Sequence, residues 1–187
     1  MIIGVTGMIG SGKGEATRIL VEKGFQSFSM GDEIRKEAHA RGLEVTRENL
    51  SALGTVLSKE EGEAFVQKRI VSKLEVGKQY VVEGFRFTED LRPFMKRADF
   101  VLIGVTAPLD VRWKRIKERG RGGDVRTFEE FVEVDERENS GGSGQEVQNC
   151  LELADYILVN DGLVEELESN LNAVLKRLDF SLFKQSI

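Results

Sequence analysis

The chain has 187 residues, of which 40% are hydrophobic and 32% are charged; this composition is typical of one globular domain and excludes disordered and fibrous proteins. Its formal net charge of -5 argues against non-specific binding to nucleic acid. The single cysteine, Cys150, excludes an intrachain disulfide and favours a reducing compartment, so we expect a cytoplasmic protein.

Five short apolar runs, rich in β-branched residues, predict the strands of a sheet. They are residues 2–6, 25–28, 79–82, 100–106 and 156–159. The runs at 2–6 and 100–106 show no alternation of apolar and polar residues, which is typical of strands buried on both faces. We therefore predict a parallel sheet of five strands that is covered by helices.

Helical patterns separate these runs and predict the connections of the sheet. They cover residues 13–23, 31–40, 47–59, 62–76, 88–96, 109–119, 127–138 and 163–178. Alternation of strand and helix is typical of βαβ units in an α/β fold. We expect residues 1–187 to form one domain of this class.

Two segments interrupt the alternation. Residues 31–77 predict an all-helical insertion that is longer than one crossover helix requires. Residues 120–144 form a polar segment with glycines near both ends, and glycine at that density indicates hinges. The two segments are either surface loops or flaps that close over substrates, with 31–77 binding an acceptor and 120–144 acting as a lid.

The first predicted strand runs into a glycine-rich loop and then into a helix, which is the setting of a Walker A phosphate loop. Glycines allow successive backbone N–H groups to point inward, and the helix N-terminus adds a dipole that favours negative charge. The lysine adds a mobile positive charge for the β- and γ-phosphates of ATP. The predicted ATP-binding residues are Gly7, Met8, Ile9, Gly10, Ser11, Gly12, Lys13 and Gly14. A P-loop NTPase fold follows, with its first strand in the middle of the sheet.

Magnesium is the expected cofactor beside ATP. The position after Lys13, where a Ser or Thr hydroxyl usually binds the ion, is Gly14, so the phosphates, water and another side chain must hold it. Glu83 ends the strand expected beside the first one and is the candidate, acting through a bound water. Its alternative role is to cap the helix that follows.

Three pieces of the chain resemble adenylate kinases. They are the Gly-Lys-Gly at 12–14, the segment Ser29-Met30-Gly31-Asp32-Glu33-Ile34-Arg35, and Glu83-Gly84-Phe85-Arg86, which is similar to the family's Asp-Gly-Phe-Pro-Arg. The resemblance implies that Arg35 and Arg86 clamp the acceptor phosphate and that Asp32 lies at the acceptor. One residue departs from the family pattern: Glu15 stands where adenylate kinases have a threonine that contacts a phosphate.

Two further pieces resemble dephospho-CoA kinases. They are the opening residues 3–13 and the late segment Ala154-Asp155-Tyr156-Ile157-Leu158-Val159-Asn160-Asp161-Gly162. In that group the late segment is a strand that ends near the adenine of ATP, which implies a nucleotide-binding role for Asn160. Taken together, the pieces resemble an archaeal group of adenylate-kinase-related P-loop proteins.

Arginines after the fourth strand supply cations for the lid. On a helix Arg112, Arg115 and Arg119 share one face, and Arg119 lies where the helix gives way to glycines. The planar fork of arginine donates two parallel hydrogen bonds to a phosphate. We predict catalytic roles for Arg119 and Arg137, followed by Arg115 and Arg121, with a solvated surface charge as the alternative for each.

Three functions are compatible with these residues. The first is a nucleoside monophosphate kinase, with Lys13 and Arg86 in catalysis and a small, nucleotide-like phosphate acceptor as partner. The second is a kinase for a hydroxyl such as that of dephospho-CoA, with Asp32 as the base or else as a helix cap. The third is a non-catalytic nucleotide-binding regulator. A membrane is not an expected partner, because the opening apolar stretch is short and is interrupted by Lys13. Nucleic acid is not expected either, because the net charge is -5.

Overall fold

The computed structural model describes residues 1–62, 64–120, 125–139 and 146–184. In chain order its elements are β1 (Ile2–Thr6), α1 (Lys13–Glu22), β2 (Gln26–Ser29), α2 (Met30–Ala40), α3 (Arg47–Glu61), α4 (Phe65–Val71), β3 (Tyr80–Glu83), α5 (Thr88–Met95), β4 (Phe100–Thr106), α6 (Leu109–Arg119), α7 (Phe128–Asn139), α8 (Val147–Glu152), β5 (Tyr156–Val159) and α9 (Val164–Lys184).

All five strands form one parallel sheet in the order β2-β3-β1-β4-β5. β1 therefore lies in the middle, paired with β3 on one side and β4 on the other. Because the strands are parallel, their carboxyl ends meet at one edge, and the loops that follow β1, β2 and β3 become neighbours. The predicted five-stranded P-loop fold with β1 at its centre is confirmed.

Helices cover both faces of the sheet because the side chains of a buried strand alternate between its faces. Ile2 enters a core with α2, α3, α4, α5 and α8, whereas Ile3 and Val5 enter a second core with α1 and α9. The strand residues of both cores are almost completely buried. The helical insertion predicted at 31–77 forms α2, α3 and α4 and belongs to the first core.

Helices α4 and α8 differ from the predicted elements, and α9 ends at Lys184 instead of the predicted residue 178. The pattern at 62–76 forms the shorter helix α4, because Gly62 takes a φ of +92° before it and single turns close at Lys73 and Leu74 after it. Helix α8 was not predicted, since its six residues are too few to show a helical period. Within the described ranges, no helix is long and apolar enough to cross a bilayer.

Candidate functional site

The phosphate loop, residues 7–13, contains glycines whose backbone conformation strongly favours glycine. Gly10 has a φ of +77° and Gly12 a φ of +100°, conformations that side chains rarely adopt. A Cβ atom on Gly10 would lie 2.7 Å from the carbonyl oxygen of Arg112. The loop therefore packs directly against the first turn of α6 as well as bending sharply.

Helix α1 begins at Lys13, so its N-terminal dipole points into the loop. The Nζ atom of Lys13 donates a hydrogen bond to the carbonyl oxygen of Met8 at 2.8 Å, which holds the ammonium group across the loop. Ser11 is fully buried, and its hydroxyl has no hydrogen-bond partner among the described residues. A buried hydroxyl without a partner is destabilising, and an anion in the loop would offer it an acceptor. These features fit a triphosphate.

Asn160 follows β5 and supports the same loop. Its Nδ2 atom donates to the carbonyl oxygen of Ser11 at 2.9 Å. Arg115, from α6, donates to the carbonyl oxygen of Asn160 at 2.8 Å and to its Oδ1 atom at 3.3 Å. The resemblance had implied that Asn160 lies near the adenine; the structure gives its amide side chain a contact with the phosphate loop.

Glu83 lies at the carboxyl end of β3, beside β1. Its Oε2 atom accepts a hydrogen bond from the Thr17 hydroxyl at 3.1 Å, so the acid is tied to α1. Thr17, which is buried, was not predicted as a site residue. Its only sequence signal is its position one helical turn after Lys13, on the same face of α1.

The residues near Glu83 fit a magnesium ion only if they contact it through bound water. No group of three or more acidic, histidine or cysteine side chains able to hold a metal occurs in the part of the chain that the structure describes. An ion at this edge would take most of its ligands from phosphate oxygens and water, as Mg²⁺ tolerates. Glu83 and Thr17 are the side chains that could hold a magnesium-bound water.

Glu15, which stands where a phosphate-binding threonine is typical, is held by a neighbouring arginine. Its Oε1 atom accepts hydrogen bonds from Arg18 Nε at 3.1 Å and Arg18 Nη2 at 2.5 Å. The hydrogen bond to Glu15 is also the main cause that raises the pKa of Arg18 above its ordinary value. This pairing offsets the negative charge of Glu15 on α1, next to the phosphate loop.

The two segments that resemble the acceptor region of adenylate kinases meet in space. Ser29 pairs with Glu83 in register at the ends of β2 and β3. A Cβ atom on Gly84 would lie 3.3 Å from Cβ of Met30, the first residue of α2. The carboxyl edge of the sheet thus brings the residues after β2 and those after β3 together.

Each segment contributes one exposed arginine. Arg35 lies in α2 and pairs with Asp32 at 2.5 Å; about half of each side chain is exposed. Arg86 follows β3 and is also exposed, while its carbonyl oxygen accepts a hydrogen bond from the amide of Glu146 at 2.7 Å. The two predicted clamp residues are therefore both exposed: Arg86 lies three residues after the end of β3, and Arg35 lies in α2, six residues after the end of β2.

Asp90 fixes the backbone around Arg86 and was not predicted. Its Oδ2 atom accepts hydrogen bonds at 3.0 Å from the amides of Arg86 and Phe87. Its Oδ1 atom accepts one from Gln67 of α4, which links this turn to the helical insertion. Burial raises the pKa of Asp90, although the two amides oppose this. The position of Asp90 three residues into α5 is a sequence signal for such a cap.

The predicted lid arginines are distributed over three places. Arg119 lies exposed at the end of α6, and Arg137 lies exposed in the last turn of α7. Arg121 lies outside the described residues. Arg115 contacts Asn160, which supports the phosphate loop. Arg112, from the same helix, is buried beneath the loop.

Comparison with known proteins identifies relatives along the whole chain. A family model described as "AAA domain" matches residues 6–132. A UPF0200 protein of Hyperthermus butylicus is 39% identical over 180 residues, which cover 95% of each chain. A UPF0200 protein of Methanosarcina mazei is 38% identical over 182 residues, which cover 91% of this chain and 97% of that one.

Solved structures share the fold. A shikimate kinase from Acinetobacter baumannii in complex with shikimate superposes with a TM-score of 0.57 at 19% identity, covering 94% of this chain and 93% of that one. A gluconokinase from Sinorhizobium meliloti 1021 gives 0.58 at 16% identity and covers 99% and 97%. A dephospho-CoA kinase from Campylobacter jejuni gives 0.54 at 16% identity and covers 95% and 96%. At these identities the likeness concerns the fold alone.

Proposed function

We propose that this chain, which belongs to the UPF0200 family and to the AAA-domain family, is a cytoplasmic, ATP-dependent phosphotransferase. Its proposed acceptor is a nucleoside monophosphate. The products are ADP and a nucleoside diphosphate. The observation that carries the proposal is the phosphate loop: a glycine nest at the N-terminus of α1 with Lys13 across it.

The acceptor side supports a phosphate rather than a neutral substrate. Asp32 and Arg35 follow β2, Arg86 follows β3, and the two strand ends adjoin one another. An exposed guanidinium offers a planar fork to phosphate oxygens. Arg35 forms an ion pair with Asp32, whereas the Arg86 side chain is exposed at the carboxyl edge of the sheet. Arg86 is therefore the stronger candidate for the acceptor clamp.

The reaction needs positioning and charge stabilisation more than proton transfer. An oxygen of the acceptor phosphate attacks the γ-phosphorus, the bond to the bridging oxygen of the β-phosphate breaks, and ADP leaves. A phosphate acceptor is already a nucleophile at neutral pH, so no general base is required. Lys13 and the loop amides stabilise the leaving phosphates, with Arg86 on the acceptor and Arg119 and Arg137 as candidate cations from the lid. Magnesium, when bound, neutralises charge on the β- and γ-phosphates.

A kinase for a hydroxyl is the second candidate. Asp32 favours it, because this exposed carboxylate lies in the first turn of α2 beside the acceptor segment and could accept a hydroxyl proton. Its ion pair with Arg35 makes a structural role equally compatible with its position.

The test measures turnover with Mg-ATP and a panel of nucleoside monophosphates, with dephospho-CoA as the hydroxyl acceptor. We expect turnover confined to monophosphates and its loss in Lys13→Ala. Lys23→Ala is the matched control, since Lys23 follows the end of α1 and pairs with Glu168 of α9. Turnover of dephospho-CoA alone would select the second candidate, and slow hydrolysis without any acceptor would favour a nucleotide-binding regulator. Calorimetry that records no heat with millimolar Mg-ATP would contradict all three.

A further inference from the structure

Arg112 of α6 is a buried cation with an unusual set of partners. Its side chain is 5% exposed and forms an ion pair with Asp135 of α7, which is 12% exposed. Its Nη2 atom donates to Asp135 Oδ2 at 2.9 Å, and its Nη1 atom donates to Asp135 Oδ1. Two carbonyl oxygens complete the set: that of Ala107, at 3.1 Å from Nε, and that of Ile9, at 3.3 Å from Nη1.

Arg112 is one of several side chains that pack α7 against α6, since its guanidinium lies 5.6 Å from the centre of the Phe131 ring. The ring of Trp113 in α6 already contacts the rings of Phe128 and Phe131 in α7. Removing a guanidinium and a carboxylate from water is costly, and apolar replacements of similar volume are often as stable as a buried ion pair. The hydrogen bond from Arg112 to Ile9, which lies in neither helix, therefore needs an explanation other than contact between α6 and α7.

The hydrogen bond from Arg112 to Ile9 supplies such an explanation, because Ile9 belongs to the phosphate loop. In a planar trans peptide the C=O of one residue and the N–H of the next point in opposite directions. A donor that holds the Ile9 carbonyl on the α6 side of the loop therefore turns the Gly10 amide to the opposite side. Gly10 also packs against the carbonyl of Arg112 itself, so the arginine contacts both residues of this peptide unit.

Asn160 also donates a hydrogen bond to a carbonyl oxygen of the loop, that of the residue two positions after Ile9. Its amide holds the carbonyl of Ser11, which fixes the peptide unit of Ser11 and Gly12. The loop is thus supported from outside at two alternate carbonyls, one by a side chain from α6 and one by a residue after β5. The ion pair with Asp135 gives the α6 support a fixed direction, because a bidentate carboxylate orients a guanidinium.

We infer that Arg112, oriented by Asp135, is a positioning residue for the phosphate loop. It fixes the peptide unit of Ile9 and Gly10 so that the Gly10 amide faces the phosphates of the nucleotide. It also couples the position of α7 to the loop. This inference rests on the proposed function only in that the loop must bind the phosphates of ATP.

The experiment separates positioning from mere stability by removing both charges. Arg112→Met with Asp135→Leu removes both members of the ion pair together, and we expect a melting temperature close to that of the wild type. The Kd for Mg-ATP, measured by calorimetry, should nevertheless rise about tenfold, because a charge-assisted hydrogen bond that orients the loop is lost. Inorganic triphosphate should lose affinity by the same factor, since the effect concerns the phosphates and not the base.

Phe128→Leu is the control, because Phe128 contacts Trp113 across the same two helices and contributes no donor to the loop. It should lower the melting temperature and leave the Kd for Mg-ATP within about twofold of the wild-type value. If Arg112 acted only by holding α6 and α7 together, the reverse is expected: unchanged affinity in the stable double variant and weakened affinity in Phe128→Leu.

A second variant keeps the test decisive if the double variant does not fold. Arg112→Lys retains a positive charge for Asp135 but lacks the planar fork that reaches several acceptors at once, so ATP binding should again weaken. Wild-type affinity in this variant, or in the folded double variant, would overturn the inference and leave the proposed function intact. Failure of the wild type itself to bind Mg-ATP would overturn both.

Discussion

The side-chain amide of Asn160 covers Gly12 so closely that a Cβ atom on this glycine would lie 2.0 Å from Nδ2. Gly12 also has a φ of +100°, and it precedes the first residue of α1. A Cβ atom on Gly14, two residues later, would have no neighbouring atom within 4 Å, and Gly14 is exposed on the helix. Of the two glycines in the Gly-Lys-Gly sequence, Gly12 therefore has no room for a side chain, whereas Gly14 does.

These two glycines give a matched pair of variants. Gly12→Ala should abolish measurable ATP binding, because the methyl group must displace Asn160 and strain the backbone at a positive φ. Gly14→Ala should bind ATP like the wild type and gain up to about 1 kcal/mol of stability, since alanine is the better helix former. Calorimetry and thermal unfolding of both proteins test this. Equal binding by the two variants would show that Asn160 does not constrain the loop.

The hydrogen bond between Thr17 and Glu83 predicts a magnesium-dependent defect. Glu83→Gln should lower turnover about 10- to 100-fold, the usual cost of changing a residue that supports a bound metal, and should raise the magnesium concentration needed for half-maximal rate. Thr17→Val should show a smaller effect in the same direction. ATP binding without magnesium should not change. Glu89→Gln, on the exposed side of α5, is the control. A defect that is identical at all magnesium concentrations would argue for a structural role of Glu83.

Arg86 should act on the acceptor more than on ATP. Replacing it with alanine removes a charge-assisted contact, and we expect the KM for the acceptor to rise about tenfold or more while the KM for ATP changes little. Arg92→Ala is the matched control, because Arg92 lies in α5, is 71% exposed and pairs with the exposed Glu89. Steady-state kinetics with both substrates varied give the comparison. Equal changes in the two KM values would count against the acceptor role.

Cys150 should be chemically inert in the folded protein. Burial in the first core raises the pKa of its thiol to about 12, so the reactive thiolate is absent at ordinary pH. Because the folded pKa lies above that of the unfolded chain, this group's contribution to stability is full below a pH of about 8.5 and declines as the pH rises towards 12. A thiol reagent at a pH of about 8 should label the protein only after denaturation. Rapid labelling of the native protein would contradict the burial.

The outline of the fold was predictable because its signals are local. β1 (Ile2–Thr6) and β4 (Phe100–Thr106) have the bounds that their uninterrupted apolar runs predicted, and α6 (Leu109–Arg119) has those that its pattern predicted. β2 and β3 each begin and end one residue later than predicted, which is the ordinary uncertainty of an element's ends. The short helix α8 was missed because its burial comes from packing under α5 and β4, which no local pattern records.

The phosphate loop and the order of strands and helices could be predicted from local patterns, because backbone conformation at glycines and the period of apolar residues are properties of neighbouring positions. The polar contacts that support the site depend on residues far apart in the chain. Arg112 meets Asp135 across 23 residues, Arg115 meets Asn160 across 45, and Thr17 meets Glu83 across 66. Glu83, Arg115 and Asn160 were already candidates in the sequence, whereas Arg112, Asp135 and Thr17 resemble ordinary surface charges and hydroxyls there. They become a site because the parallel sheet brings the carboxyl ends of distant strands to one edge, where burial forces each polar group to find a partner.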